Sequence, residues 1–305
     1  KYKELEQIRI EYPNIIQLFK NAPFPADIVK GLSLALDDFG ECPLIVRSSS
    51  LLEDRTGSAF SGKYKSLFLP NQGSKKARME ALLDAIAEIY ASVYGPDPIL
   101  YRAEHGLLDF HEEMGILIQE VVGARVGPYV LPAYAGVAFS SNEFRWSPRL
   151  KRDDGLVRLV PGLGTRAVDR VSNDYPALLS PGQPGLRVNV SPDEIRHYSP
   201  AMVDVINVES RAFETVPLGT LLREYGREFP NLRQLVSIYR DGNIHAPSGL
   251  ELDTVNDELI ATFEGLINRT EFVKRVRAIL LALQEGLGTP VDIEFASDGH
   301  TFYLL

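Results

Sequence analysis

Between Leu44 and Asn71 the chain reads LIVRSSSLLEDRTGSAFSGKYKSLFLPN. The apolar run Leu44-Ile45-Val46 predicts a buried strand. Arg47 stands at its end. Three hydroxyls follow, Ser48, Ser49 and Ser50, and then a loop with Glu53, Asp54, Gly57, Ser58, Ser61 and Gly62. A second strand-like run, Tyr64 to Leu69, closes the stretch before Pro70-Asn71. Two readings fit this order. Guanidinium binds phosphate oxygens bidentately, small residues let backbone N–H groups approach, and hydroxyls add donors, so the stretch suits a phosphate chain. Alternatively it is a β-hairpin with a polar loop and a solvated arginine.

The 305 residues suffice for one large domain or two lobes. A net charge of −9 argues against nucleic acid and anionic membrane surfaces, which select basic footprints, but leaves a nucleotide open. The single cysteine, Cys42, rules out an intrachain disulfide and points to a reducing, cytoplasmic compartment. No apolar run is long enough to span a bilayer, and the N-terminus lacks a signal-peptide pattern. Because residue 1 is Lys, the chain is expected to be a piece of a longer protein. Nothing in the sequence sets an oligomeric state.

Residues 1–40 predict two helices, the first interrupted at Tyr12-Pro13 and the second ending at Gly40. Lys75 to Tyr94 carries a clear apolar stripe stopped by Gly95-Pro96, and Pro98 to Gly106 a shorter helix. Strands are expected at Met114–Val122, Tyr134–Ser141, Leu156–Val160, Leu186–Val190, Val203–Val208 and Leu235–Arg240, and a helix at Leu218–Tyr225. A helix capped by Thr270 should run to Gly288. Beyond it, period two puts Val291, Ile293 and Phe295 on one face and Asp292 and Glu294 on the other. Two carboxylates on one face suit Mg²⁺, or they are the polar side of an ordinary hairpin turning at Asp298-Gly299.

Val46-Arg47-Ser48-Ser49-Ser50, Glu53-Asp54 and Ser58-Ala59-Phe60-Ser61-Gly62 together resemble a "VRSSxxxED…SFAG" signature. That signature belongs to the nucleotide-binding domain of the phosphoenolpyruvate synthase and pyruvate phosphate dikinase family, an ATP-grasp fold. Weaker matches follow in order. Gln119-Glu120-Val121-Val122 resembles "Q-x-M-V", and Gly136 to Asn142 resembles "GVxFTxN", with Ser140 for threonine. Gly162-Leu163-Gly164-Thr165 resembles "GLGE", with Thr165 for glutamate and Arg170 for a later glycine. The terminal VDIEF…FYLL resembles "DIEF…LxxLQxRP".

The resemblance implies an α/β (α+β) fold: a two-lobed ATP-grasp-like domain with mixed or antiparallel sheets. Its lobes would be residues 1–118 and 119–305, with ATP between them. Adenine would meet Gln119, Glu120, Val121 and Val122. Phosphates would meet Arg47, Ser48 and Ser66, with Ser140, Gly162 and Gly164 alongside. Glu294, helped by Asp292, would ligate Mg²⁺, and Arg47 and Glu294 would be catalytic. A family glutamine ligand and a phosphate arginine would fall just past Leu305. By resemblance the full protein is an ATP-dependent phosphotransferase. It would phosphorylate a histidine on a separate carrier domain, and a further domain would pass the group to pyruvate or another acceptor. The chain alone would be incomplete for that reaction. The family's Gly-Gly-Lys loop has no match here, which with Thr165 motivates an alternative: a non-catalytic or regulatory ATP-binding module. A plain interaction domain, binding no ATP, is the third reading.

Overall fold

The structure is a computed structural model that describes residues 4–53, 63–168, 174–247 and 252–305. Asp54, Gly57, Ser58, Ala59, Phe60, Ser61 and Gly62 of the polar loop, and Arg170, lie outside the described residues. Two compact units emerge. The first is Lys1–Val121 with Val208–Phe213, and the second is Val122–Asn207 with Glu214–Leu305.

In the first unit the order is α1 (Leu5–Asn21), α2 (Ala26–Phe39), β1 (Leu44–Ser50), β2 (Ser66–Leu69), α3 (Lys75–Ser92), α4 (Pro96–Glu104) and β3 (Met114–Glu120). The expected break at Pro13 does not occur, and α1 runs straight through it. Pro removes one backbone bond and crowds the preceding turn, but packing holds this helix along its later half. Lys20 Nζ reaches Glu88 Oε2 on α3 at 2.9 Å, and the Phe19 ring lies 5.8 Å from that of Tyr94. Ser74 caps α3, its hydroxyl accepting the Ala77 N–H at 3.3 Å. The strands form an antiparallel sheet ordered β2-β1-β3. One face of it packs Leu44 and Val46 against Leu36 of α2 and Leu82, Ile86 and Ile89 of α3. Asn71 closes the return from β2 by donating to the carbonyls of Gly40 (3.0 Å) and Cys42 (2.7 Å).

The second unit opens with β4 (Ala124–Val126), β5 (Tyr129–Leu131), β6 (Tyr134–Phe139), β7 (Leu156–Pro161), α5 (Thr165–Val168), β8 (Ala177–Leu179) and α6 (Pro192–His197). It continues with β9 (Met202–Asn207), β10 (Ala212–Pro217), α7 (Leu218–Tyr225), α8 (Leu232–Leu235), β11 (Val236–Arg240), β12 (Asn243–His245) and β13 (Glu258–Ala261). Last come α9 (Glu264–Arg269), α10 (Phe272–Leu287), β14 (Asp292–Ser297) and β15 (Phe302–Leu304). Three sheets result, ordered β15-β14-β6-β7-β8, β10-β9-β5-β4 and β12-β11-β13. In the five-stranded sheet every ladder is antiparallel. Its core face, with Val157, Leu159, Ile293 and Phe295, joins one cluster with Phe272, Val276 and Leu280 of α10.

Two local expectations are corrected. Leu186–Val190 is not a strand. Its groups bond elsewhere: Trp146 Nε1 donates to the Leu186 carbonyl at 3.1 Å. The segment then enters α6, where Ser191 and Glu194 form a capping box. Thr270 is not the cap of α10, because Glu271 occupies that position. The Thr270 hydroxyl instead bridges two helices, donating to the Leu266 carbonyl of α9 (2.6 Å) and accepting the Phe272 N–H (3.1 Å). No helix among the described residues is long and apolar enough to cross a membrane.

Candidate nucleotide site

In an antiparallel pair, directly opposed residues share a face of the sheet. Arg47 stands opposite Ser66 on β2 and Leu117 on β3, and Ile45 stands opposite Phe68 and Gln119. Arg47, Ser66 and Gln119 therefore share the face away from Leu44 and Val46, the face that α2 and α3 do not cover. Leu117 on this face is exposed, and the Phe68 ring stacks on that of Phe213, 5.6 Å away. Ser48 projects the other way, its hydroxyl donating to Glu53 Oε1 at 2.9 Å. The structure thus groups Arg47 with Ser66 and Gln119, but not with Ser48.

Glu120 stands opposite Leu44, on Ser48's side of the sheet, and is exposed. The Val121 N–H is already used, donating to the Pro43 carbonyl at 2.8 Å. β3 is an edge strand of its sheet. Such a strand turns alternate backbone donors and acceptors outward, the pairing an adenine edge needs. Val122 is the first residue of the second unit.

On the second unit, Asp292 stands opposite Phe139, and Glu294 opposite Val137, which itself faces Arg158. The alternation expected of β14 holds: Ile293 and Phe295 are buried, Asp292 is exposed and Glu294 half-buried. Nearby protein atoms still take enough water from Asp292 to hold its carboxyl above the ordinary range. No cation pairs with it among the described residues. A carboxylate in that condition gains from a bound cation. Mg²⁺ takes one or two protein carboxylates and completes its shell with waters and phosphate oxygens. Two carboxylates at i and i+2, about 6.6 Å apart along the strand, fit that habit. Among the described residues no group of three or more His, Cys, Asp or Glu forms a closed protein cage.

Ser140 is buried and works within the sheet. Its hydroxyl accepts the Val291 N–H and its N–H donates to the Val291 carbonyl, both at 2.9 Å. Asn142, two residues on, is fully buried, and neither side-chain polar atom has a partner among the described residues. A buried amide in that state calls for water or a ligand.

Gly162 owes its identity to β9. Its φ is +73°, and a Cβ would lie 2.4 Å from Val203 Cγ1 and 2.7 Å from the Asp204 carbonyl oxygen. Gly164 has room, since a Cβ would meet only Ala135 Cβ, at 3.4 Å. Beyond this turn lies a buried network that sequence reading missed. Thr165 Oγ1 donates to Asp204 Oδ2 (2.5 Å) and Thr215 Oγ1 to Asp204 Oδ1 (2.6 Å). Arg166 bonds Asp174 Oδ2 through Nε (2.8 Å) and Asp204 Oδ1 through Nη1 (3.4 Å). The one sequence cue was Asp204 itself, a charge inside the apolar run Met202–Ile206.

The family profile described as pyruvate phosphate dikinase, AMP/ATP-binding domain, matches residues 1–305. The chain belongs to this family. Rifampicin phosphotransferase of Bacillus subtilis is a curated relative, 25% identical over 143 residues, which are 47% of this chain and 15% of that protein. The chain therefore spans only a small part of the length of that relative. Membership makes this an AMP/ATP-binding domain of the kind used by ATP-dependent phosphotransferases, and the mixed α/β fold with antiparallel sheets agrees with it.

Gly162 and Gly164 now separate experimentally. Gly162→Ala is expected to cost about 2–3 kcal/mol in urea unfolding, from a left-handed backbone plus overpacking. Gly164→Ala should leave stability unchanged, so any loss of ATP affinity in that variant reports close backbone approach to the nucleotide.

Proposed function

We propose that this domain binds ATP with Mg²⁺ and, within a longer protein, phosphorylates a histidine on a separate carrier domain. Water takes the other phosphoryl group, so AMP and phosphate are left behind, and a further domain hands the histidine-bound group to pyruvate or another acceptor. The observation that carries the reading is the face of the β2-β1-β3 sheet turned away from α2 and α3, where Arg47 stands on the same side as Ser66 and Gln119. Arg47 would clamp phosphate oxygens, Ser66 would add a hydroxyl, and Gln119 to Val122 would lie along the adenine. Ser48, turned to Glu53, contributes its backbone at most. Gly162, Gly164 and Ser140 shape the strand ends of the second unit. Asp292 and Glu294 would hold the metal, which when bound neutralises charge on the phosphates. Phosphoryl transfer depends mainly on such positioning and neutralisation. ATP and the single thiol suit the cytoplasm. Nucleic acid and membrane are not expected partners.

Calorimetry tests the binding step. Arg47→Ala should weaken MgATP binding by about 10–100-fold, the loss of a charge-assisted bidentate contact, with melting temperature held. Unchanged affinity would remove Arg47 from the site. The transfer step needs the full-length protein, which should release AMP and label a histidine from γ- or β-labelled ATP. A specific observation favours a second reading. Thr165 stands where the resemblance has glutamate, and its hydroxyl is engaged by Asp204. If the full-length protein binds ATP yet yields no AMP, the domain is a regulatory ATP-binding module.

A further inference from the structure

The face of the β2-β1-β3 sheet that carries Arg47 also carries a group of apolar side chains. Phe68, Ile45 and Gln119 form one row across the three strands, and Ser66, Arg47 and Leu117 form the next. Leu117 is exposed, and Phe213 joins this face by stacking on Phe68, the ring centroids 5.6 Å apart and the planes 23° from parallel. Such an offset pair uses one face of each ring. Phe213 nevertheless stays 43% exposed.

The turn from β9 into β10 brings Phe213 there. Val208–Phe213 belongs to the first unit, although the chain before and after it belongs to the second. The turn is seated at another point as well. Gly73, just ahead of α3, leaves room for Arg211: a Cβ on Gly73 would lie 3.1 Å from Arg211 Nη1. With Arg211 against Gly73 and Phe213 against Phe68, the ring is positioned before a ligand arrives. Exposed apolar groups gathered beside a guanidinium and an amide mark a ligand surface, unlike apolar residues scattered singly. The row from Phe68 to Gln119 spans two strand spacings, about 9.6 Å, wide enough for a purine laid over Ile45. Arg47 follows one row on, about 6.8 Å along the strand, which sets a cation for phosphate beside a surface for a base. Bases stack readily on aromatic rings, and a two-ring purine covers more of the ring than a pyrimidine does.

Resting on the ATP reading above, we propose that Phe213 is the stacking partner of the nucleotide base and makes the site select purines. The base lies over Ile45 against the exposed side of the Phe213 ring, with its edge toward Gln119.

The test titrates MgATP, MgUTP and magnesium tripolyphosphate calorimetrically into the parent chain and its Phe213 variants. The parent should bind MgATP at least about tenfold tighter than MgUTP. Phe213→Leu keeps apolar bulk on Phe68, so the turn stays seated, but it removes the π face. It should weaken MgATP about tenfold, weaken MgUTP less than about threefold and leave tripolyphosphate, which has no base, unchanged. Phe213→Trp should retain MgATP affinity, and MgATP should quench the introduced indole relative to the parent's single Trp146, whereas tripolyphosphate should not. This second variant covers the case in which Phe213→Leu does not fold. The proposal is overturned by equal binding of MgATP and MgUTP to the parent, by full MgATP affinity in Phe213→Leu, by an equal loss for tripolyphosphate, or by an unquenched indole. Each of these leaves the ATP reading standing. Absence of MgATP binding to the parent overturns both.

Discussion

Arg166→Met is expected to destabilise the second unit by about 3–5 kcal/mol, the cost of leaving buried carboxylates without their cation. The Arg166 side chain is only 10% exposed, and its partners Asp174 and Asp204 are 3% and 6% exposed. The three groups come from α5, from the residues just before β8, and from β9, so one guanidinium ties together segments that no ladder joins. Removing it leaves two acids facing each other's charge in a dry site. The hydroxyls of Thr165 and Thr215 still reach Asp204, but a neutral donor offsets only part of a buried charge. Urea unfolding of the isolated chain reads the loss directly. Arg166→Lys should recover less than half of it, because an ammonium cannot serve both acids in the guanidinium's geometry. Adding Asp174→Asn to Arg166→Met should recover more, since it removes one of the stranded charges. A loss under 1 kcal/mol for Arg166→Met would mean that water, not Arg166, satisfies these acids. The Gly162–Gly164 turn leans on the same network, so ATP affinity should fall alongside stability. Arg47→Ala, in contrast, should lower affinity alone.

What the chain's letters disclosed follows from how local each signal is. β1, α3 and β14 were legible because each carries its own pattern: an apolar run, a 3.6-residue stripe and a strict alternation. Arg47 and Glu294 stood out because each sits in a resembling motif. That Arg47 shares a face with Ser66 and Gln119 required the register of three strands, since Ser66 lies 19 residues away and Gln119 lies 72 away. Period two did place Ser48 opposite to Arg47, yet the run of three serines drew attention from that alternation. The Arg166 network was not legible, because Arg166 and Asp204 are separated by 38 positions and neither lies in a charge pattern. α6 was hidden by the prolines around it, although Ser191 with Glu194 three residues later is a capping-box pattern that marks its start. Pro13 misled in the other direction: a local penalty was real, but tertiary packing outweighed it.

Gly136→Val should cost at least about 4 kcal/mol and is the substitution most apt to prevent the second unit from folding. Gly136 lies on β6, the strand between β14 and β7, opposite Phe295 on one side and Leu159 on the other. A Cβ there would lie 2.2 Å from the Arg158 carbonyl oxygen and 2.8 Å from Phe295 Cζ. The first of these is backbone, and it cannot withdraw without opening the β6–β7 ladder. The second belongs to a ring that is 1% exposed and stacked on Phe302 at 5.2 Å, with Phe272 at 5.8 Å. Neither neighbour has space to yield. Phe295→Ala, combined with Gly136→Val, would relieve only the ring contact and open a cavity, so it should not rescue. On its other side β6 pairs with β14, which sets Asp292 opposite Phe139 and Glu294 opposite Val137. With Asp292 and Glu294 holding the metal as proposed, Gly136→Ala, measured at a temperature where it remains folded, should therefore lose Mg²⁺-dependent ATP affinity in addition to its loss of stability. If Gly136→Ala instead melts like the parent and binds MgATP equally, the close approach of β6 to β7 is not what holds the carboxylates in place.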